Sequence, residues 1–338
     1  MIIAVDKNTL NVVNSNNEYV YLFDDEPLKD LLKLNMHCIH YEKCEYVDIN
    51  LTKYDVDCLK KAKATDKYYD KVPEKKDYKI GIIIPNYNYE HTIKKCLNSI
   101  LNQTYQNFEI IFIDDVSTDY SVRRAKELLK PPHKVIELKQ KRLNGGSRNE
   151  AYLYLSEDVD YVWYVDSDDW LYHNEVLEHI NNRLQMKPDV LFVGMALHKN
   201  NITIPYFMPK YKDKYEAIEG WSGSCGKVIK KELATRQECL YNEGTLKEDR
   251  NHHRKICIYM KDFTLLREPV YVWNKDNPKS VTTVRDKIMW GTSTIRHYAD
   301  LKQLVLSVKG KDHKIDACLE ESLRMCKQEI DEGKDRQW

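Results

Sequence analysis

Between residues 79 and 193, short β-branched runs alternate with segments of helical spacing, and this alternation restricts the fold more than any other feature of the 338-residue chain. Lys79-Ile80-Gly81-Ile82-Ile83-Ile84 is apolar almost throughout and is closed by Pro85, the pattern of a parallel strand buried on both faces. Ile93, Cys96, Leu97, Ile100 and Leu101 then recur at helical spacing. Further strands are predicted at 108–113, 135–138, 161–165 and 190–193. Helices are predicted at 121–130, where Pro131-Pro132 stops the run, and at 147–155 and 174–187. Such alternation predicts an α/β domain with a mostly parallel sheet flanked by helices, and ligands in such sheets lie beyond the carboxyl ends of the strands. Two acidic clusters fall at those ends: Asp114-Asp115, and Asp166-Ser167-Asp168-Asp169.

The flanks read differently. Residues 1–78 form an N-terminal accessory region whose charged stretch from Lys60 to Tyr78, interrupted by Pro73, has the composition of a linker. Residues 79–283 hold the α/β domain, and 284–338 read as a helical region. There, Leu301, Leu304, Val305 and Val308 follow helical spacing and are expected to pack on the core, a second copy of the chain being the other partner such a stripe could take. With 53 basic and 53 acidic residues, no global field draws the protein to nucleic acid or anionic lipid. No apolar run approaches the roughly 20 residues that span a bilayer. Met1 to Asp6 lacks a basic, signal-like start, so a cytoplasmic location is expected. Nine scattered cysteines suit reduced thiols. His37, Cys38, His40 and Cys44 carry ligand-type side chains, but their spacing matches no zinc pattern.

Asp166 and Asp168, two apart on extended chain, point the same way and can share one hard cation; the plainer reading is an acidic turn before a helix. At the other cluster a carboxylate can accept from a base N–H or a ribose hydroxyl, or Ser117 and Asp119 can simply cap the next helix. Asn144-Gly145-Gly146-Ser147-Arg148-Asn149 offers glycines and free helix N–H groups to an anion, or is an ordinary glycine turn.

Taken in order, Ile82 to Asn88, Asp114 to Asp119, Asn144 to Asn149 and Val165 to Leu171 resemble glycosyltransferase family 2, the inverting enzymes of the Rossmann-like GT-A fold. The resemblance continues through Trp221 to Leu233, Glu248-Asp249, Pro269 to Trp273 and Ser280-Val281-Thr282. It implies a nucleotide-diphosphate sugar donor, a UDP-sugar first among them, and an acceptor hydroxyl on a glycan, a lipid-linked saccharide, a protein or another molecule. By the same resemblance Pro85, Tyr87 and Asn88 border the nucleobase, Asp115 binds the base or its ribose, and Arg148 holds a phosphate or orients the aspartates. Asp166 would contact ribose or donor sugar, Asp168 would ligate Mn²⁺ or Mg²⁺, and Asp249 would act as base with Glu248 as the alternative. Two departures stand out. Asn274 occupies a place where the family often has a basic residue, and the histidine that often completes the metal's ligands has no clear counterpart, although His252 and His253 follow the acidic pair.

Two other readings compete. Nucleotidyl transfer also uses paired aspartates and Mg²⁺, but would favour a glycine-rich basic loop where Pro85-Asn86-Tyr87-Asn88 stands. A lapsed sugar-nucleotide-binding or scaffold protein would not need Asp166, Asp168 and Asp249 together.

Overall fold

The computed structural model describes residues 76–278, 280 and 287–331, together with four short strands nearer the N-terminus. The chain divides into two compact units, Met1–Lys76 and Asp77–Trp338. In the first, β1 (Ala4–Val5) pairs antiparallel with β2 (Val12–Val13), and β3 (His37–Ile39) with β4 (Tyr46–Asp48). His40, Cys44 and the linker-like stretch up to residue 75 lie outside the described residues, as do Val281 and Thr282.

The second unit is built on one nine-stranded sheet. Its first half comprises β5 (Ile80–Asn86), β6 (Phe108–Asp114), β7 (Lys134–Glu137) and β8 (Tyr161–Tyr164), all parallel in the order β7-β6-β5-β8. The second half adds β9 (Trp170–Leu171), β10 (Val190–Lys199), β11 (Ile202–Phe207), β12 (Lys227–Lys230) and β13 (Phe263–Asn274). Here β12 runs antiparallel between β8 and β10, β13 lies parallel to β10, and β9 and β11 pair antiparallel with β13 and β10.

Strand residues alternate between two cores, as a period of two requires. Ile80, Ile82, Ile84, Ile110, Phe112, Tyr161 and Trp163 face one side. Ile83, Ile111, Ile113, Val162 and Tyr164 face the other. The first core is closed by helices α1 (Ile93–Leu101), α2 (Ser121–Leu128) and α4 (Val176–Leu184), the last following α3 (Leu143–Ala151) in the chain. After the short helices α5 (Lys214–Ile218) and α6 (Lys231–Ala234), the second core takes α7 (Glu248–Tyr259), α8 (Lys287–Val308) and α9 (His313–Asp331). Leu301, Leu304, Val305 and Val308 are buried in it, so that stripe packs on the core. No described helix is long and apolar enough to cross a membrane.

One local expectation is corrected. Asn144 to Gly146 belong to α3, which starts at Leu143 rather than at Ser147. The cause is tertiary: Asp115 accepts from the backbone N–H of Arg142 (2.6 Å) and Leu143 (2.9 Å), satisfying orphan donors at the helix start. Gly145 is needed for contact within the protein, since a Cβ there would lie 3.0 Å from the Asn242 carbonyl oxygen and 3.1 Å from Glu248.

Candidate active site

The parallel strands deliver four segments to one edge of the sheet. At the end of β5, buried Asn86 donates through Nδ2 to Asp114 Oδ1 (2.8 Å) and Ser121 Oγ (2.9 Å), tying that strand end to the next. Asp114 also accepts from the Ser117 amide at 2.8 Å, so its carboxylate belongs to the scaffold. Asn88, at φ 61°, receives the Thr118 amide (2.8 Å) and donates its own N–H to Ser117 Oγ (2.9 Å). Beside Asp115, Val116 sits at φ 64°, a strained place for a β-branched side chain. Tyr87 is exposed at this rim, with the Lys141 ammonium 3.0 Å from its ring centroid, while Pro85 is buried and its carbonyl accepts from Ser167 Oγ at 2.8 Å.

The carboxylates around Asp168 divide by neighbour. Asp169 accepts from the Tyr271 hydroxyl and from the Asn274 amide (2.8 Å), and burial and then the neighbouring aspartates push its carboxyl well up. Asp168 accepts from Asn277 Nδ2 at 2.8 Å, and its carboxyl is pushed up to about 6 by burial first and then by Asp166. Asn274 Nδ2 holds the Asp168 carbonyl at 3.0 Å, so the asparagine found in place of a basic residue shapes this turn. Asp166, 36% exposed at its side chain, reaches Arg148 Nη2 at 2.8 Å.

Arg148 joins the two halves of the site. It is 3% exposed, and its Nη1 donates to Glu248 Oε1 at 2.9 Å while Nη2 holds Asp166. Both arms are thus engaged with protein carboxylates. Burial, opposed by Arg148, pushes the Glu248 carboxyl up to about 7. The adjacent Asp249 is half-buried and has no hydrogen bond or ion pair among the described residues. The start of α7 is braced from behind: Ser293 Oγ receives the Leu246 amide at 3.0 Å, and buried Glu329 faces Lys247 (3.7 Å) and Arg250 (3.3 Å).

Sequence reasoning left the histidines open, and both lie in the core. His252 stacks on Tyr241 with ring centroids 3.6 Å apart, and His253 Nε2 lies 2.6 Å from the Ala217 carbonyl oxygen; burial pushes both imidazoles well down. Among the described residues no group of three or more His, Cys, Asp or Glu side chains could hold a metal. The donor set at Asp166 and Asp168 is instead two carboxylates with the Asn277 amide beside them. Turned over, that amide presents Oδ1 in place of Nδ2, and such an all-oxygen set fits a hard divalent cation that completes its shell with phosphates or water. Lys227 was also missed. It is fully buried, donates to the Ser222 (2.9 Å) and Gly223 (2.7 Å) carbonyls, and is pushed down to about 8 by burial. It anchors the 221–226 segment, over which the Trp221 ring packs so tightly that a Cβ at Gly226 would fall 2.4 Å from it.

A sheet of this order, with carboxylates at the ends of its parallel strands, defines a GT-A fold. The S. aureus TarS 1-349 crystal structure in complex with UDP-GlcNAc has the same fold, at a TM-score of 0.58 and 22% identity, over 71% of this chain and 70% of that one. Residues 81–234 match the model of Glycosyl transferase family 2, so this segment carries the likeness to that family. An Escherichia coli protein named UDP-Glc:alpha-D-GlcNAc-diphosphoundecaprenol beta-1,3-glucosyltransferase WfgD is 32% identical over 169 residues, which are 50% of this chain and 57% of that protein. A poly(ribitol-phosphate) beta-glucosyltransferase of Bacillus spizizenii is 34% identical over 117 residues, 33% of this chain and 18% of the relative. The chain therefore spans little more than half of one curated relative and under a fifth of the other.

Proposed function

We propose that this chain is an inverting glycosyltransferase that moves a sugar from a nucleotide-diphosphate donor, a UDP-sugar, to an acceptor hydroxyl. The observation that carries the reading is the Arg148 bridge, which joins the Asp166–Asp168 strand end to the Glu248–Asp249 helix start, about eighty residues further along the chain. In this reading Asn88 and the rim at Tyr87 border the base, with Pro85 beneath them. Asp115, already holding α3, uses its remaining lone pairs toward base or ribose. Asp166 faces ribose or donor sugar, and Asp168 with Asn277 holds Mn²⁺ or Mg²⁺. When bound, the cation stabilises charge on the departing diphosphate.

The acceptor oxygen attacks the anomeric carbon from the face opposite the diphosphate. The new C–O bond forms as the bond to the diphosphate oxygen breaks, and Asp249 takes the hydroxyl proton. Glu248 is poorly placed for that task, because its carboxylate is buried and held by Arg148. The two relatives described above are named for acceptors that carry phosphate, and we extend to this chain an acceptor hydroxyl on a phosphate-bearing glycan or polyol.

Release of nucleoside diphosphate from a panel of UDP-sugars, with and without Mn²⁺, tests the proposal. Metal-dependent release is expected. A chain that binds UDP but releases none from any donor would be a binding protein on this fold instead.

A further inference from the structure

A groove of about 650 Å³ runs between α1 and the β9 segment, and the donor chemistry makes no use of it. Its lining carries Lys94 and Lys95, the imidazoles of His91 and His173, and asparagines, with no carboxylate among the lining residues. In a chain whose charges balance, that local excess calls for an anion. Among the described residues neither lysine has a carboxylate partner; His91 does, 3.2 Å from Glu90. The Lys95 ammonium instead lies 3.0 Å from the centroid of the Trp170 ring, where burial pushes its pKa down. A cation held on an aromatic face without a counter-ion is one an incoming anion can pair with at little cost in desolvation.

The groove is bordered by the chain segment that follows Asp168. Trp170 lies two residues beyond Asp168, and α1 is stitched to this segment by Thr92 Oγ1 donating to the Ser167 carbonyl (3.0 Å) and by the Leu171 amide donating to Ser99 Oγ (3.0 Å). A chain whose terminal hydroxyl reached the donor could therefore lay its next units along α1. A nucleic acid is disfavoured, because Lys95 already covers the Trp170 ring and leaves that indole face closed to base stacking. A bilayer surface is disfavoured because the site is concave and lined with asparagines.

We infer that this groove is an acceptor subsite that binds the phosphodiesters of a polyol- or glycan-phosphate chain, Lys94 and Lys95 pairing with phosphate and the asparagines with hydroxyls. The inference rests on the proposed transfer reaction and deepens it. The test is calorimetric titration of the full chain, with the donor site filled by UDP, using a synthetic ribitol-phosphate hexamer, a neutral maltohexaose, and vesicles containing anionic lipid. The hexamer is expected to bind with an affinity that falls as salt rises. Its affinity should drop about tenfold or more in Lys94→Ala/Lys95→Ala, and further in Lys94→Glu/Lys95→Glu, while donor hydrolysis is unchanged. Equal hexamer binding by wild type and both variants, equal binding of maltohexaose, or binding to vesicles alone would each overturn the subsite. Failure of donor hydrolysis with hexamer binding intact would remove the reaction and leave the anion site standing.

Discussion

Replacing Arg148 by methionine strips the site of a cation that touches both of its halves. Asp166 is partly exposed and can turn to water, so its loss is small. Glu248 cannot, because only 7% of its side chain is accessible and Arg148 is its ion-pair partner. Removing one member of a buried pair costs about 3–5 kcal/mol. For a domain of this size that is a fall in melting temperature of roughly 6–20 °C. The pH dependence has a definite sign. Glu248 is pushed up to about 7 in the folded chain, above its unfolded value of about 4.3, so its stabilising contribution is complete below pH 4 and is lost as pH rises through 7. Without Arg148 the carboxyl is pushed higher still, and the variant's deficit should be largest above pH 7 and shrink toward pH 5.5, where Glu248 folds protonated. Urea unfolding at several pH values measures this directly. Arg148→Met/Glu248→Gln, which leaves no buried charge behind, should recover more than half of the loss at pH 8. A single variant with the wild-type midpoint, or with a deficit that does not shrink on acidification, would refute the idea that Arg148 holds this site together.

Asp249→Asn should retain UDP binding by calorimetry and lose transfer by about 10²–10⁴-fold in kcat; unchanged transfer would move the base elsewhere. Asn277→Ala should weaken Mn²⁺ binding, followed by electron paramagnetic resonance with UDP present, about tenfold or more, with Asn277→Asp retaining it. Gly226→Ala forces the Trp221 ring away from its seat and should cost about 1–3 kcal/mol in thermal or urea unfolding.

Strands β5, β6 and β8 of the parallel half were readable in the sequence because both of their faces are covered, so each is largely an apolar run. Strands β5, β6 and β8 fall within one or two residues of their expected limits for that reason. The start of α3 was not readable, since Gly145 and Gly146 look like a loop until Asp115 is seen to bind the N–H groups at the helix start. Antiparallel β12 was hidden for a similar reason: Lys227, its first residue, looks like a surface lysine, and only the Ser222 and Gly223 carbonyls let it be buried. Asn277 had no local signal at all, because its contact with Asp168 spans 109 residues. His252 and His253, left open by the sequence because they are ligand-type residues beside an acidic pair, are core residues of α7.

Adjacent acidic residues in this chain divide their work, and the division bears on which of them can do chemistry. Asp169 is taken up by Tyr271 and Asn274, leaving Asp168 at the site edge with the Asn277 side-chain amide beside it. Glu248 is taken up by Arg148, leaving Asp249 unbonded among the described residues. At Asp114-Asp115 both members hold the scaffold, one through Asn86 and Ser117 and the other through the start of α3. A carboxylate already accepting good hydrogen bonds is poorly placed as a base, because its lone pairs are aimed at protein donors rather than at an incoming hydroxyl. The same bonds fix its position, which suits recognition of a base or ribose. On that ground the proposed reaction assigns proton transfer to Asp249, which has no hydrogen-bond partner among the described residues, and donor recognition to Asp115, which the start of α3 holds in place.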